Sequence, residues 1–342
     1  MTDRSAQAPL PPPVVMAQLL FGKQITYSLS GVARLGVADH MDGGAKPVEE
    51  IAGKVGAHAP SLYRVMRLLA SLGVFKEGPK RSFALTPLGE LLKTDAPGSV
   101  RYMAMMFGEE FSARAYGHIA DCLRTGGDGV TGAYGKDIWA VLAERPEQCE
   151  TFQRAMTGNT AAAADAVVEA YDFSGIERLA DVGGGHGLLL ASILRRNPKL
   201  KGVLYDRPEV VASVPTSQFA GCEGRIDTEA GSFFERVPEA CDAYLLKHII
   251  HDWSDEHCRK ILRLMRDKLP KDGRVLLCEM VVGDEPGPTP AKMLDIEMLV
   301  MTVGGKERTE AEFAALFASA GLRLNRIVPT ARPVSVIEAV PA

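Results

Sequence analysis

The sequence predicts an α/β protein in which a parallel sheet with crossover helices follows a mostly helical amino-terminal unit of winged-helix pattern. Two observations carry that prediction. Near the start, two amphipathic stretches precede a pair of short apolar runs joined by a polar turn. Beyond about residue 170, β-rich runs alternate with helical ones.

In KPVEEIAGKVG, Val48, Ile51, Ala52 and Val55 recur at helical spacing, with Pro47 placed to open the first turn. After a break at Ala59-Pro60, a second helix is expected, with Val65, Leu68, Leu69 and Leu72 on one face and Gly73 as its stop. Val74-Phe75 and Phe83-Ala84-Leu85 then read as two strands across the turn EGPKRS. In LTPLGELL, Thr86 is a helix cap and Pro87 sits at the first position. Residues from about 100 to 170 read as helical, and a boundary is expected between 165 and 175. Strands are predicted at RLADV, GVLYD, AYLLK and RVLLCEM, with crossover helices at LLLASILRR and EHCRKILRLMRDKL.

A chain of 342 residues is comfortable for two domains. A net charge of −4 gives no global field to attract nucleic acid or an anionic membrane. Arg64, Arg67, Lys76, Lys80 and Arg81 are too sparse, beside Glu49, Glu50 and Glu77, for a DNA-reading surface. Six scattered cysteines without a CxxC pair fit reduced thiols. The prolines in MTDRSAQAPLPPPVV argue against a secretory signal, and no uncharged stretch approaches the ~20 residues of a membrane helix. A cytoplasmic protein is expected.

The first strand of the second half runs into Asp181-Val182-Gly183-Gly184-Gly185-His186-Gly187, and a helix follows at once. Glycines let the backbone turn sharply and approach a ligand, and a helix amino end offers free N–H groups. The next strand ends in Asp206, where a carboxylate can accept from both hydroxyls of a ribose. A nucleoside-containing ligand is therefore expected at the carboxyl ends of these two strands, in a Rossmann-like sheet. The acidic residue opens the motif and the glycines run GGGxG, so this stretch leaves NAD and S-adenosylmethionine both open.

Downstream, DVGGGHG is followed in order by YDRPEV, GSFF, KHIIHDWSDEHC, LLCE and GGKERTEAEF. This ordered set resembles the small-molecule O-methyltransferases typified by plant caffeate and flavonoid enzymes and bacterial polyketide and phenazine enzymes. The resemblance runs from about residue 150 to the end, and the winged-helix start fits that family's dimerisation domain. It implies a class I methyltransferase sheet, S-adenosylmethionine as cofactor, a homodimer and a small aromatic substrate. The expected organisation is 1–105 winged-helix dimerisation domain, 106–165 helical connector contributing to the substrate pocket, and 166–342 catalytic domain.

Carried over by position, the resemblance assigns Asp181, Gly183, Gly185 and Asp206 to the cofactor. Ser232 and Phe233 would flank the adenine, and Lys247 would lie on the same rim. Ser232 stands where the family usually has Asp, which removes one carboxylate acceptor. His251 is implied as general base, with Glu279 and Glu307 around its ring. The chemistry agrees: a phenol of pKa about 10 is a poor nucleophile, and an imidazole of pKa about 6.5 can take its proton. Met156 and Met298 match the pair that clamps an aromatic ring, and Asp252 and Thr302 are assigned to the same pocket. Flexible thioethers suit a flat ring.

His248 is expected to face elsewhere and serve packing, and Asp295 and Glu297 to lie on a solvated or capping face. No metal is expected, because HxxHD has no further ligand-spaced residues nearby. Two other readings stay open: a relative repurposed for decarboxylation or hydroxylation, and a winged-helix ligand-sensing regulator.

Overall fold

The computed structural model describes residues 10–342; the first nine residues of the proline-rich start lie outside the described residues. The chain forms two compact units, one of residues 1–109 and 150–158, the other of 110–149 and 159–342.

In the first unit, helices Pro12–Leu20 and Gly22–Arg34 precede the predicted pair, Val48–Val55 and Ala59–Ser71. Pro47 ends one extended residue before the first of that pair, and Gly73 (φ +81°) follows the second. The wing has three strands: β1 (Lys46–Pro47), β2 (Phe75–Gly78) and β3 (Ser82–Leu85), ordered β1-β3-β2 and antiparallel. Thr86 Oγ1 accepts the Gly89 N–H, as its capping role requires. The buried line of helix Ala59–Ser71 is Leu62, Met66 and Leu69, which pack with Ile51, Phe75 and Phe83. This corrects the expected face. Leu62 sets an i, i+4, i+7 stripe that leaves Val65 and Leu68 on its flank and Leu72 43% exposed.

The second unit is built on a seven-stranded sheet. Its strands are β4 (Arg178–Val182), β5 (Lys201–Asp206), β6 (Ile226–Ala230), β7 (Ala243–Lys247), β8 (Arg274–Met280), β9 (Leu322–Pro329) and β10 (Val334–Pro341). The order is β6-β5-β4-β7-β8-β10-β9, parallel except for β10, which runs antiparallel to both β8 and β9. Strand side chains alternate between faces. Ala180, Val182, Tyr244 and Leu246 accordingly join one core with Ile261, Leu262 and Phe317, while Leu179, Ala243 and Leu245 join the other with Leu190, Ile193 and Val167.

Strand order reverses between β4 and β7, and crevices at the carboxyl ends of strands form at such a switch point. That is where the glycine-rich turn and the His251 segment lie. No helix among the described residues is long and apolar enough to cross a membrane.

Candidate active site

The turn after β4 is shaped by its glycines. Gly183, Gly185 and Gly187 all take positive φ (71°, 58° and 73°), a region that disfavours side chains. A Cβ on Gly183 would come 2.7 Å from Ile249 Cδ1 and 3.6 Å from Phe233 Cε1; one on Gly184 would come 2.7 Å from the Asp181 carboxylate. The turn is also tethered to β5: Gly183 N–H donates to Tyr205 O (2.8 Å), and Gly185 N–H to Asp206 Oδ2 (2.8 Å). Asp206 Oδ1 accepts from Arg207 N–H (2.7 Å), while the Asp206 carbonyl receives Gly231 N–H at the head of GSFF. Asp181, Gly183, Gly185, Asp206 and Phe233 thus meet at one strand-end crevice. Ser232 Oγ accepts from Phe234 N–H (3.3 Å), so this serine caps its own turn.

Buried polar atoms normally find partners. Four of the seven that lack a hydrogen-bond partner among the described residues cluster here: Asp181 Oδ2, His248 Nδ1, Glu279 Oε2 and Glu307 Oε2. An orphaned carboxylate oxygen beside a glycine cradle, with a second carboxylate at the end of β5, fits a polar, cationic nucleoside. Burial pushes Asp181 up to about 7, with Asp206 adding to the rise and Lys247 opposing it. Burial likewise lowers Lys247 to about 8, against the pull of Cys278, Glu279 and Asp181.

The second half of the site is the turn after β7. Glu279, on β8 and fully buried, accepts at Oε1 from Ile249 N–H (3.1 Å) and Ile250 N–H (3.0 Å). Its Oε2 lies 3.6 Å from Nδ1 of both His248 and His251. His251 Nδ1 shares a 2.5 Å hydrogen bond with Glu307 Oε1, and Nε2 faces Asp252 Oδ1 at 3.6 Å. Burial alone would lower the imidazole pKa; Glu279, Asp252 and Glu307 overcome it and hold it near 10. Burial raises Asp252 to about 7 despite the imidazole. Glu279 is held near 2: burial would raise it, and the histidines and backbone amides more than reverse that.

Several expectations need correction. His248 belongs to this cluster, its ring 4.9 Å from that of His251 between centroids. Its φ of +51° turns the side chain back from the direction an extended strand end would give. Asp295 accepts the Glu307 N–H (2.9 Å), a capping contact, while Glu297 accepts from Tyr116 Oη (2.5 Å) with burial raising its pKa, so Glu297 does not lie on a solvated face. The ligand atoms of His248, His251 and Glu279 also come within 4.8 Å of one another, a gathering across β7 and β8 that sequence spacing does not display. In this cluster His251 Nδ1 is engaged by Glu307 and Glu279 Oε1 by two amides.

Met298 is buried in helix Pro290–Met301, and its carbonyl accepts from Thr302 Oγ1 (2.8 Å), which spends that hydroxyl within the helix end. Met156 is half-buried in helix Pro146–Ala170, within the first unit.

The glycine turn, the acidic β5 terminus and the carboxylate-bound histidine all stand at the carboxyl ends of the seven-stranded sheet. Residues 116–323 match the O-methyltransferase domain family, and residues 17–95 the O-methyltransferase dimerisation domain. The chain is 40% identical over 342 residues, the full length of both, to phenazine O-methyltransferase PhzM of Lysobacter antibioticus. The crystal structure of LaPhzM superposes with a TM-score of 0.90 at 40% identity, covering 97% of this chain and 100% of that one. Human N-acetylserotonin methyltransferase, solved with SAM, gives 0.87 at 27% identity, covering 99% of each. The chain belongs to the O-methyltransferase family, and it is an S-adenosylmethionine-dependent O-methyltransferase.

Proposed function

We propose that this enzyme methylates a hydroxyl of a small phenolic or polycyclic aromatic molecule, with His251 as general base. The observation that carries this reading is the buried 2.5 Å pair of His251 Nδ1 with Glu307, backed by Glu279 at 3.6 Å. Asp181, Gly183, Gly185, Asp206, Ser232, Phe233 and Lys247 would hold S-adenosylmethionine, and Met298, Asp252 and Thr302 would line the acceptor site. When bound, the cofactor supplies a methyl group on a positively charged sulfur.

The chain's own part is the proton. Glu307 fixes the ring's orientation and leaves Nε2 to accept. An ordinary imidazole would take a proton from a phenol of pKa about 10 at a cost of about 5 kcal/mol. With His251 held near 10, the transfer is nearly even. The same stabilisation keeps nearly all of the imidazole protonated at neutral pH, so kcat rises as pH climbs from 7 toward 10. Glu307→Gln removes one of the stabilising carboxylates. It should move the inflection of the pH–rate profile to lower pH and reduce the plateau about 10-fold; an unmoved inflection would contradict the pairing.

The test of the function is a panel of phenols, naphthols, anthraquinones and phenazine alcohols with methyl-labelled S-adenosylmethionine. Labelled O-methyl ethers are expected. Label on nitrogen or carbon, or release of a decarboxylated or hydroxylated product, would favour a repurposed relative.

We further infer a homodimer. Leu19, Leu20 and Phe21 are 70%, 73% and 59% exposed on the first helices, an apolar run that a second copy would cover. Light scattering should give twice the chain mass of 36.8 kDa, and a monomer at micromolar concentration would refute it. A nucleic-acid role is not proposed: Arg81 pairs with Glu49 (3.8 Å), and Arg67 and Arg81 both stack on Tyr63.

A further inference from the structure

Among the described residues, the largest fully buried side chain is a guanidinium, that of Arg308, 1% exposed. An ion in that position is costly unless every donor is used, and here nearly all point at one short stretch. Nη1 donates to Ile250 O (3.1 Å) and Lys306 O (3.3 Å); Nη2 donates to Trp253 O (3.2 Å) and Asp255 Oδ1 (2.7 Å); Nε donates to Asp255 Oδ1 (3.1 Å). Ile250 and Trp253 bracket His251 and Asp252. The guanidinium therefore grips the carbonyls on either side of the base.

The neighbours of Arg308 complete the arrangement. Lys306 N–H donates to His251 O (2.9 Å), and the Arg308 carbonyl accepts Val282 N–H (2.9 Å) just beyond β8. Glu307, between them, reaches the imidazole, and its own N–H is held by Asp295. Residues 306–308 thus lace one segment to the 250–255 turn, with the His251–Glu307 bond at the centre.

We propose that Arg308 is the positioning residue of the reaction, setting the register of the base against Glu307. Its charge does not count among the main influences on the imidazole, which are carboxylates; its effect is geometric. A lysine keeps the charge and loses the planar fork that spans two carbonyls and a carboxylate. Misplacement of a catalytic group by ~1 Å can cost on the order of 100-fold in rate.

This inference rests on His251 as the base, and the experiment separates the two. Arg308→Lys and Asp255→Asn are each made alone and on the His251→Ala background; Asp255 has a half-exposed side chain and gives a second route should Arg308→Lys fail to fold. The readouts are kcat, acceptor KM, the pH–rate profile and the far-downfield proton resonance of the His251–Glu307 hydrogen bond. Arg308→Lys should lower kcat roughly 10- to 100-fold with KM changed less than about 3-fold. The inflection should move to lower pH and the resonance should vanish. Asp255→Asn should do the same more weakly, and neither should add to the loss in His251→Ala. A loss that follows melting temperature alone, with inflection and resonance unmoved, overturns the role of Arg308. So does full additivity with His251→Ala. A His251→Ala enzyme as active as the wild type would instead sink the base assignment itself.

Discussion

His251→Ala is expected to lower kcat at least ~100-fold, the scale of lost general-base catalysis, while the dissociation constant for S-adenosylmethionine stays within about 3-fold. The imidazole is 7% exposed and enclosed by Glu279, Asp252 and Glu307, and the other imidazole beside it is that of His248. Burial lowers His248 to about 4, the wrong direction for taking a phenol's proton. Removing His251 also leaves three carboxylates without their cation. His251→Gln is therefore the matching control, since it fills the space and can still donate to Glu307. Equal turnover in either variant would mean that the acceptor arrives ionised or that another group is the base. Calorimetry with S-adenosylhomocysteine checks that the cofactor crevice survives.

Asp206→Ala is expected to raise the dissociation constant of the cofactor by about 30-fold or more, with a smaller change in kcat at saturation. Hydrogen bonds to a charged acceptor contribute roughly 1.5–3 kcal/mol each, and this carboxylate has two roles. It stands at the end of β5, where a ribose would place its hydroxyls, and it also holds the glycine turn through Gly185 N–H and the 207 backbone through Arg207 N–H. Losing it loosens the cradle and removes the anchor together. Asp206→Asn, which keeps one acceptor oxygen, should fall between. An unchanged dissociation constant in Asp206→Ala would discredit the ribose assignment.

What could be read from the sequence was what is local in it. The turn Gly183–Gly187 and its helix are contiguous, and Asp206 follows at the next strand end, so backbone chemistry alone pointed to this crevice. β4, β5, β7 and β8 were visible as apolar runs because they are buried on both faces. β6 (IDTEA) was not, since it is an edge strand with mostly polar, exposed residues. β9 and β10 pair antiparallel at the opposite end and mix apolar with charged residues, which hides them from an alternating α/β reading.

The site divides the same way. His251, Glu279 and Glu307 were assigned through a resemblance, and the structure brings them together across 28 and 56 positions. Asp295 and Arg308 were missed because each acts through the backbone of a distant segment, and no periodicity marks a side chain that accepts an amide or grips a carbonyl. A signal was nonetheless present: an arginine directly beside the assigned Glu307. His248 was misread for a different reason. A strand end was assumed to continue extended, and the left-handed φ at that residue reverses the side chain.

In the proposed reaction His251 takes the acceptor's proton as its oxygen is methylated. The most direct test measures kcat for wild type and His251→Ala across ring-substituted acceptors of falling hydroxyl pKa, at one pH. Wild type is expected to show a shallow dependence and the variant a steep one, the two converging once the acceptor is already ionised in solution. A loss in His251→Ala that stays the same for every acceptor, ionised or not, would contradict it and make His251 a structural neighbour of the site.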